Sequence, residues 1–267
     1  ELMPPQYGKV LVSIKPKNGS YVSDFDKQII QNKLRQYTIA GIEPQITDLQ
    51  VLYVEIDSSV YYNYSQVSTV EDLKNRVVSS LNTYADSPNL NSFGGRFKYS
   101  KVLQVIDNTD SAITSNITKV RIRRDLKASI NKPTQYEICY GNQFHVNPNG
   151  YNIKSTGFKI FGYTDTMYLT DTPNSDLKTG TISIIKPYST VSGVGSTSTI
   201  KSNVIVQSAG TVDYQKGEII LGALNITSTT LADDIIEIQA YPESNDVVGL
   251  KYLYISFDVG KSTINMV

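Results

Sequence analysis

The residue types that most often carry chemistry are scarce in this chain and poorly placed for it. One histidine, His145, and one cysteine, Cys139, occur in 267 residues. A structural zinc site takes four thiolate or imidazole ligands, so these two cannot build one. His145 stands beside Asn142, Gln143 and Asn147, which reads as a polar loop, and no Gly-x-Ser-x-Gly elbow supplies it with a nucleophile. Cys139 lies in Tyr-Glu-Ile-Cys-Tyr, has no second cysteine to pair with in the chain, and reads as a small buried hydrophobe. Asp233-Asp234, and Asp107 with Asp110, are of the type that holds a hard cation or serves a glycosidase. Neither pair sits in a calcium-loop pattern or among sugar-stacking aromatics. Gly193-Val194-Gly195 lacks the third glycine of a dinucleotide fingerprint and the Gly-Lys-Ser/Thr of a phosphate loop. The expectation is no catalytic residue, no metal, no cofactor and no small-molecule substrate.

The most distinctive charged group is Arg121, Arg123 and Arg124. Between Thr118 and Leu126, Val120, Ile122 and Arg124 alternate with Arg121, Arg123 and Asp125, the pattern of a strand with one strongly basic face. Arginine is enriched at protein interfaces, which makes the three a candidate contact surface. The competing reading is an exposed sheet face paired with local acids.

Charge is balanced, with 25 basic and 25 acidic residues. Broad binding to nucleic acid or to an anionic membrane needs a basic excess, so neither is expected. No apolar run reaches the roughly 18 residues of a membrane-spanning helix, and the N-terminus has no signal-peptide pattern. The chain begins at Glu1 rather than Met, which reads as a fragment or processed product. Tyrosine is abundant at 19 residues, an amphipathic ring that suits half-buried strands and interfaces alike. Sequons at Asn18, Asn63, Asn116 and Asn225 are discounted without a secretory signal.

These residues are carried by a clearly punctuated first half. Pro4-Pro5 leads in, Lys9–Lys15 alternates as a strand, and Asn18-Gly19 turns the chain. Ser23 with Asp26 is a capping pair for a helix bearing Phe25, Ile29, Ile30, Leu34 and Tyr37, read as packing on a sheet. Leu52, Val54 and Ile56 alternate in a long Val-, Ile- and Tyr-rich run. Thr69 with Asp72 caps a second helix whose stripe is Val70, Leu73, Val77, Leu81 and Tyr84. The segment from Phe97 to Ile106 fits helix or strand. After Asn131-Lys132-Pro133 short apolar runs are separated by Gly, Ser, Thr and Asn, with Val191–Thr199 as a loop and a hairpin turn at Gly217. The fold class expected is α+β, a mixed sheet with two amphipathic helices on one face followed by a β-rich, sandwich- or barrel-like domain. The division expected is 1–130, 131–240, and a C-terminal turn and strand at 241–267 that returns to pack on another domain or subunit.

Four passages together resemble the baseplate J-like family of contractile-tail phages, and within it the C-terminal part of the large wedge (hinge) subunits of T4-type baseplates. They are Gly8–Pro16, Phe97–Asp107 running into Ser111-Ala112-Ile113, Gly210–Ile219, and Tyr241–Val247. The resemblance implies a structural, non-enzymatic subunit of the virion tail baseplate, assembled in the host cytoplasm. It also implies that the subunit dimerises, contacts other wedge subunits, links wedges into a ring, and acts as a hinge on contraction, with Asn131-Lys132-Pro133 as one candidate pivot. The β-rich, Tyr-, Asn- and Thr-rich second half suggests an alternative, a carbohydrate- or receptor-binding module using loop residues such as Tyr151 and Tyr163. An enzyme working through carboxylates such as Asp107 is a third reading.

Overall fold

The computed structural model describes residues 7–16, 22–39, 41–87, 90–191 and 198–267. The Pro4-Pro5 lead-in, the Asn18-Gly19 turn with its sequon, and residues 192–197 of the Gly/Ser loop lie outside the described residues.

The chain opens with a small βαβ unit. β1 (Lys9–Ser13) runs parallel to β2 (Glu43–Thr47), and α1 (Asp24–Arg35) connects them. Ser23 caps α1 from extended backbone: its Oγ accepts the Asp26 N–H at 3.1 Å and donates to the Asp26 carboxylate at 2.6 Å. Asp24 and Asp26 then face the positive end of the helix dipole, and Lys33 and Arg35 the negative end.

The main sheet follows. β3 (Val51–Tyr62) lies antiparallel to β5 (Ile113–Lys127), and between them come α2 (Val70–Ala85), the short β4 (Arg96–Phe97) and α3 (Tyr99–Asp107). Thr69 caps α2 as Ser23 caps α1. Leu73, Val77 and Leu81 of α2 and Val102 and Ile106 of α3 are buried with Leu52, Val54 and Ile56 of β3 and Val120 and Ile122 of β5. The two helices on this sheet are thus α2 and α3, while α1 lies on the separate two-stranded sheet.

The chain then leaves the main sheet to build a second one. β6 (Pro133–Cys139), β7 (Lys154–Ser155), β8 (Phe158–Ile160), β9 (Tyr168–Pro173), β10 (Thr179–Val191), β11 (Ser198–Asp213) and β12 (Glu218–Thr229) follow in sequence. Six of these strands form the antiparallel sheet β6-β12-β11-β10-β9, with β8 also paired to β12. The seventh, β7, joins the main sheet. β13 (Ile235–Ala240) returns to pair antiparallel with β5, Ala240 opposite Ile122, although sequence patterning assigned it to the end of the β-rich region. β14 (Val247–Val248) pairs with β4. β15 (Tyr254–Phe257) and β16 (Thr263–Met266) both lie parallel to β3, so the C-terminal segment completes the main sheet of its own chain.

The two sheets share one continuous apolar core. Two crossings join them side by side, where the Ala128 N–H donates to Asp234 O at 2.8 Å and the Asn131 N–H to Ile226 O at 2.8 Å. Polar contacts add to the packing: Arg124 Nη1 donates to Cys139 O at 2.9 Å, and the Tyr140 hydroxyl donates to Ile238 O at 2.7 Å.

Candidate interaction surface

The arginine cluster is laid out by strand register. On the sheet face opposite α2 and α3, Tyr53 stands across from Arg123 and Glu55 across from Arg121, while on the other side Gln239 faces Arg123 and Glu237 faces Asp125. Arg123 is 2% exposed. Its Nε donates to Glu55 Oε1 at 2.7 Å, its Nη1 to Asp125 at 2.7 Å and to Glu237 at 2.5 Å, and its Nη2 to Asp258 at 2.9 Å. The guanidinium also lies over the Tyr53 ring, 4.2 Å from the centroid. Asp258, in the turn after β15, covers the arginine from the C-terminal side, and Lys261 from the same turn pairs with Glu237. The face read as basic and exposed is therefore a roofed, charge-compensated cluster.

Burial dominates at two acids of this cluster, Glu55 and Asp125. It pushes the Glu55 carboxyl above the usual carboxylate value, with Arg123 and Arg121 pulling the other way. Asp125 is raised by burial as well, against the pull of Arg123. For Arg123 burial works against the charge, but Asp125, Glu237, Glu55 and Asp258 together outweigh it and hold the guanidinium ionised. Arg124 points to the other side of the sheet, where burial lowers its pKa, and it donates to Cys139 O and to Gln50 Oε1. Arg121 keeps partial exposure and lies 3.6 Å from Glu55. Of the three arginines, it is the one within reach of a partner without rearrangement.

The other singled-out residues are not brought together. His145 pairs with Glu243 at 3.0 Å on the surface. Asp107 accepts from Asn116 at 2.7 Å, whereas Asp110 accepts from Arg76 and from the Ala112 N–H. Asp233 and Asp234 both have positive φ at a crossing between the sheets. Among the described residues no group of three or more His, Cys, Asp or Glu is placed to hold a metal ion. Also among these, no helix is long and apolar enough to cross a membrane. An open groove of about 530 Å³ lies between α1 and the β1–β2 sheet, lined by Lys9, Gln28, Gln31 and Gln45. Its Lys27 is already paired with Asp24 and Asp48. Tyr151 and Tyr163 are exposed on separate loops.

Sequence patterning missed the most exposed apolar surface. The stripe read on α1 divides in two: Ile30 and Leu34 turn partly toward the β1–β2 sheet, while Phe25 is 71% and Ile29 49% exposed. No residue of α1 is buried. At 100° per residue Phe25 and Ile30 lie about 140° apart, too far for one buried face. That angle was the available signal. Tyr7, Val10, Tyr37 and Ile39 of the same unit are also exposed.

Comparison with known proteins finds two family models. Residues 1–47 match baseplate structural protein gp6, C-terminal domain I, and residues 50–125 match C-terminal domain III of the same protein. Baseplate wedge protein gp6 of Enterobacteria phage T4 is 24% identical over 137 residues, which is 51% of this chain and 20% of that protein. The chain thus spans about a fifth of the length of this relative. The matches are to gp6 and do not confirm the baseplate J-like grouping suggested by the resemblance. The boundary between the two matched spans falls where the βαβ unit gives way to the main sheet. Both matched spans are related to a baseplate wedge protein, through the C-terminal domains of gp6.

Proposed function

We propose that this chain is part of a structural subunit of a phage tail baseplate wedge, one that dimerises and links neighbouring wedges into a ring that rearranges on contraction. The observation that carries this reading is the pair of adjoining matches to gp6 C-terminal domains, one coinciding with the βαβ unit and the other with the β3–β5 part of the main sheet. The geometry agrees with a load-carrying part. The charged side chains are spent on one another, as at Arg123, and the polar groups singled out for chemistry lie apart. The subunit has no enzymatic task and works through protein contacts in the virion baseplate, after assembly in the host cytoplasm.

A ring that changes shape needs rigid bodies and surfaces that rotate. The crossing at Asn131-Lys132-Pro133 is a poor pivot, because a second crossing, the shared core and the Arg124 and Tyr140 hydrogen bonds all tie the sheets together there. The rotation falls instead at contacts between subunits and at the edge of the βαβ unit. Sedimentation velocity over a wide concentration range, with and without purified wedge subunits, tests the proposal. Concentration-dependent self-association and co-sedimentation with wedge subunits are expected. A chain that stays monomeric at its solubility limit and ignores those subunits overturns it.

A further inference from the structure

The geometry points to the exposed face of α1 as a contact with α1 of a second copy of this chain, packed antiparallel about a two-fold axis near Ile29 and Ile30. This rests on the self-association reading above and says which surface performs it. Three observations converge on it.

First, Phe25 and Ile29 lie one helical turn apart on the face turned away from the β1–β2 sheet, and both are largely exposed. A two-stranded sheet and one helix bury too little to be stable alone, so an apolar face here costs the unit stability unless something covers it. Second, the charges of α1 are polarised along its axis: Asp24 and Asp26 in the first turn, Lys33 and Arg35 in the last. A two-fold axis at the helix midpoint pairs position 26 with 33 and position 24 with 35, because each pair is centred on the same point between 29 and 30. Third, the sides agree. At 100° per residue Asp26 and Lys33 fall on one flank of the Phe25–Ile29 stripe, about 20° apart, and Asp24 and Arg35 on the other, again about 20° apart. A two-fold antiparallel pair brings like flanks together, so each acid of one copy meets a base of the other on both sides of the seam. A parallel arrangement would set acid against acid. Within its own chain Arg35 also reaches Glu43 at 2.6 Å, with both side chains half exposed, Asp24 accepts from Lys27 at 2.9 Å while its side chain stays exposed, and Asp26 accepts from Ser23, so these groups are oriented yet still open to a partner.

The test uses the full chain with Cys139→Ser as background. Ile29→Cys is expected to give a disulfide-linked dimer under mild oxidation. Phe25→Cys is expected not to link to itself, since its two copies stand about 14 Å apart along the seam, but to link to Gln36→Cys or Asn32→Cys on mixing. Ile29→Glu, checked for folding by circular dichroism, is expected to weaken self-association at least tenfold. A Phe25→Cys self-link with no Ile29→Cys link means another geometry and overturns the inference. So does a folded Ile29→Glu variant that dimerises like the parent, which leaves the self-association reading standing. A parent chain that never self-associates removes both.

Discussion

Arg123 gathers Glu55, Asp125, Glu237 and Asp258 from three strands and the turn after β15, and its removal should be felt by the whole main sheet. Replacing one partner of a buried ion cluster costs about 3–5 kcal/mol, and with Lys261 and Arg121 still present Arg123→Met is expected near the low end, about 3 kcal/mol, by urea denaturation at neutral pH. The loss should shrink as pH falls and the orphaned carboxylates take up protons. Glu55 gives a second signature. Its folded pKa lies above the ordinary 4.5, so just above pH 4.5 the folded chain holds a proton that the unfolded chain has released. The contribution of Glu55 to stability therefore declines as pH rises from 4.5 through the raised folded value, and is level beyond it. Glu55→Gln keeps an acceptor for the Arg123 Nε–H and should flatten that decline, leaving the slope that Asp125 contributes. Unfolding midpoints at closely spaced pH values read this directly, and an unchanged slope in the variant would refute it. Sequence alone places the arginines on alternate faces of one strand. It cannot show that Asp258, 135 residues further on, closes over the middle one.

The elements with local signals are the ones legible in the sequence. Ser23 and Thr69 each accept an N–H three residues on, and both helices begin where these caps put them. The consequences of losing the two caps should differ, because the helices are packed differently. α2 buries Leu73, Val77 and Leu81 in the common core, so Thr69→Ala should lower global stability by about 1 kcal/mol. α1 has no fully buried residue, so Ser23→Ala should raise amide exchange at Asp26 and Lys27 severalfold while the unfolding midpoint of the main body stays put. Equal losses of global stability in the two variants would contradict this division. The segment after Phe97 was ambiguous because Val102 and Ile106 fit either period over so few residues, and packing against α2 decides for the helix. The placement of β13 beside β5, and of β15 and β16 beside β3, was not legible at all. Strand patterning gives the inward face of each strand but not its neighbour, and these pairings span more than a hundred residues, β15 and β16 lying some two hundred from β3.

At the scale of the molecule the question is which parts move as one. The described residues from 50 onward are bound into a single body: Gln50 is held by the Tyr254 N–H on its carbonyl and by Arg124 on its side chain, and the two sheets beyond share a core. The βαβ unit before them packs mainly on itself, α1 against β2 and β2 against β1. Among the described residues its packing on the body is slight. Lys15 lies 5.9 Å from the centroid of the Tyr254 ring, and Lys27 holds Asp48 in the connection itself. Asp48 and Leu49 are therefore the joint we propose, between the βαβ unit and the body that carries the rest. Brief chymotrypsin digestion of the isolated chain should cut first within residues 7–50, after Leu49 or at the exposed Phe25 and Tyr37, and leave a folded product starting near Gln50. Self-association through α1 should slow these cuts as concentration rises, because it covers Phe25. Early cuts inside the body with the βαβ unit intact would show that the joint lies elsewhere. In density maps of the particle before and after contraction, residues 50–267 should superpose as one piece while residues 7–47 turn about 48–49. If the chain works in a ring as proposed, turning at this joint would let the ring change shape without breaking the charged cluster at Arg123 or opening its core.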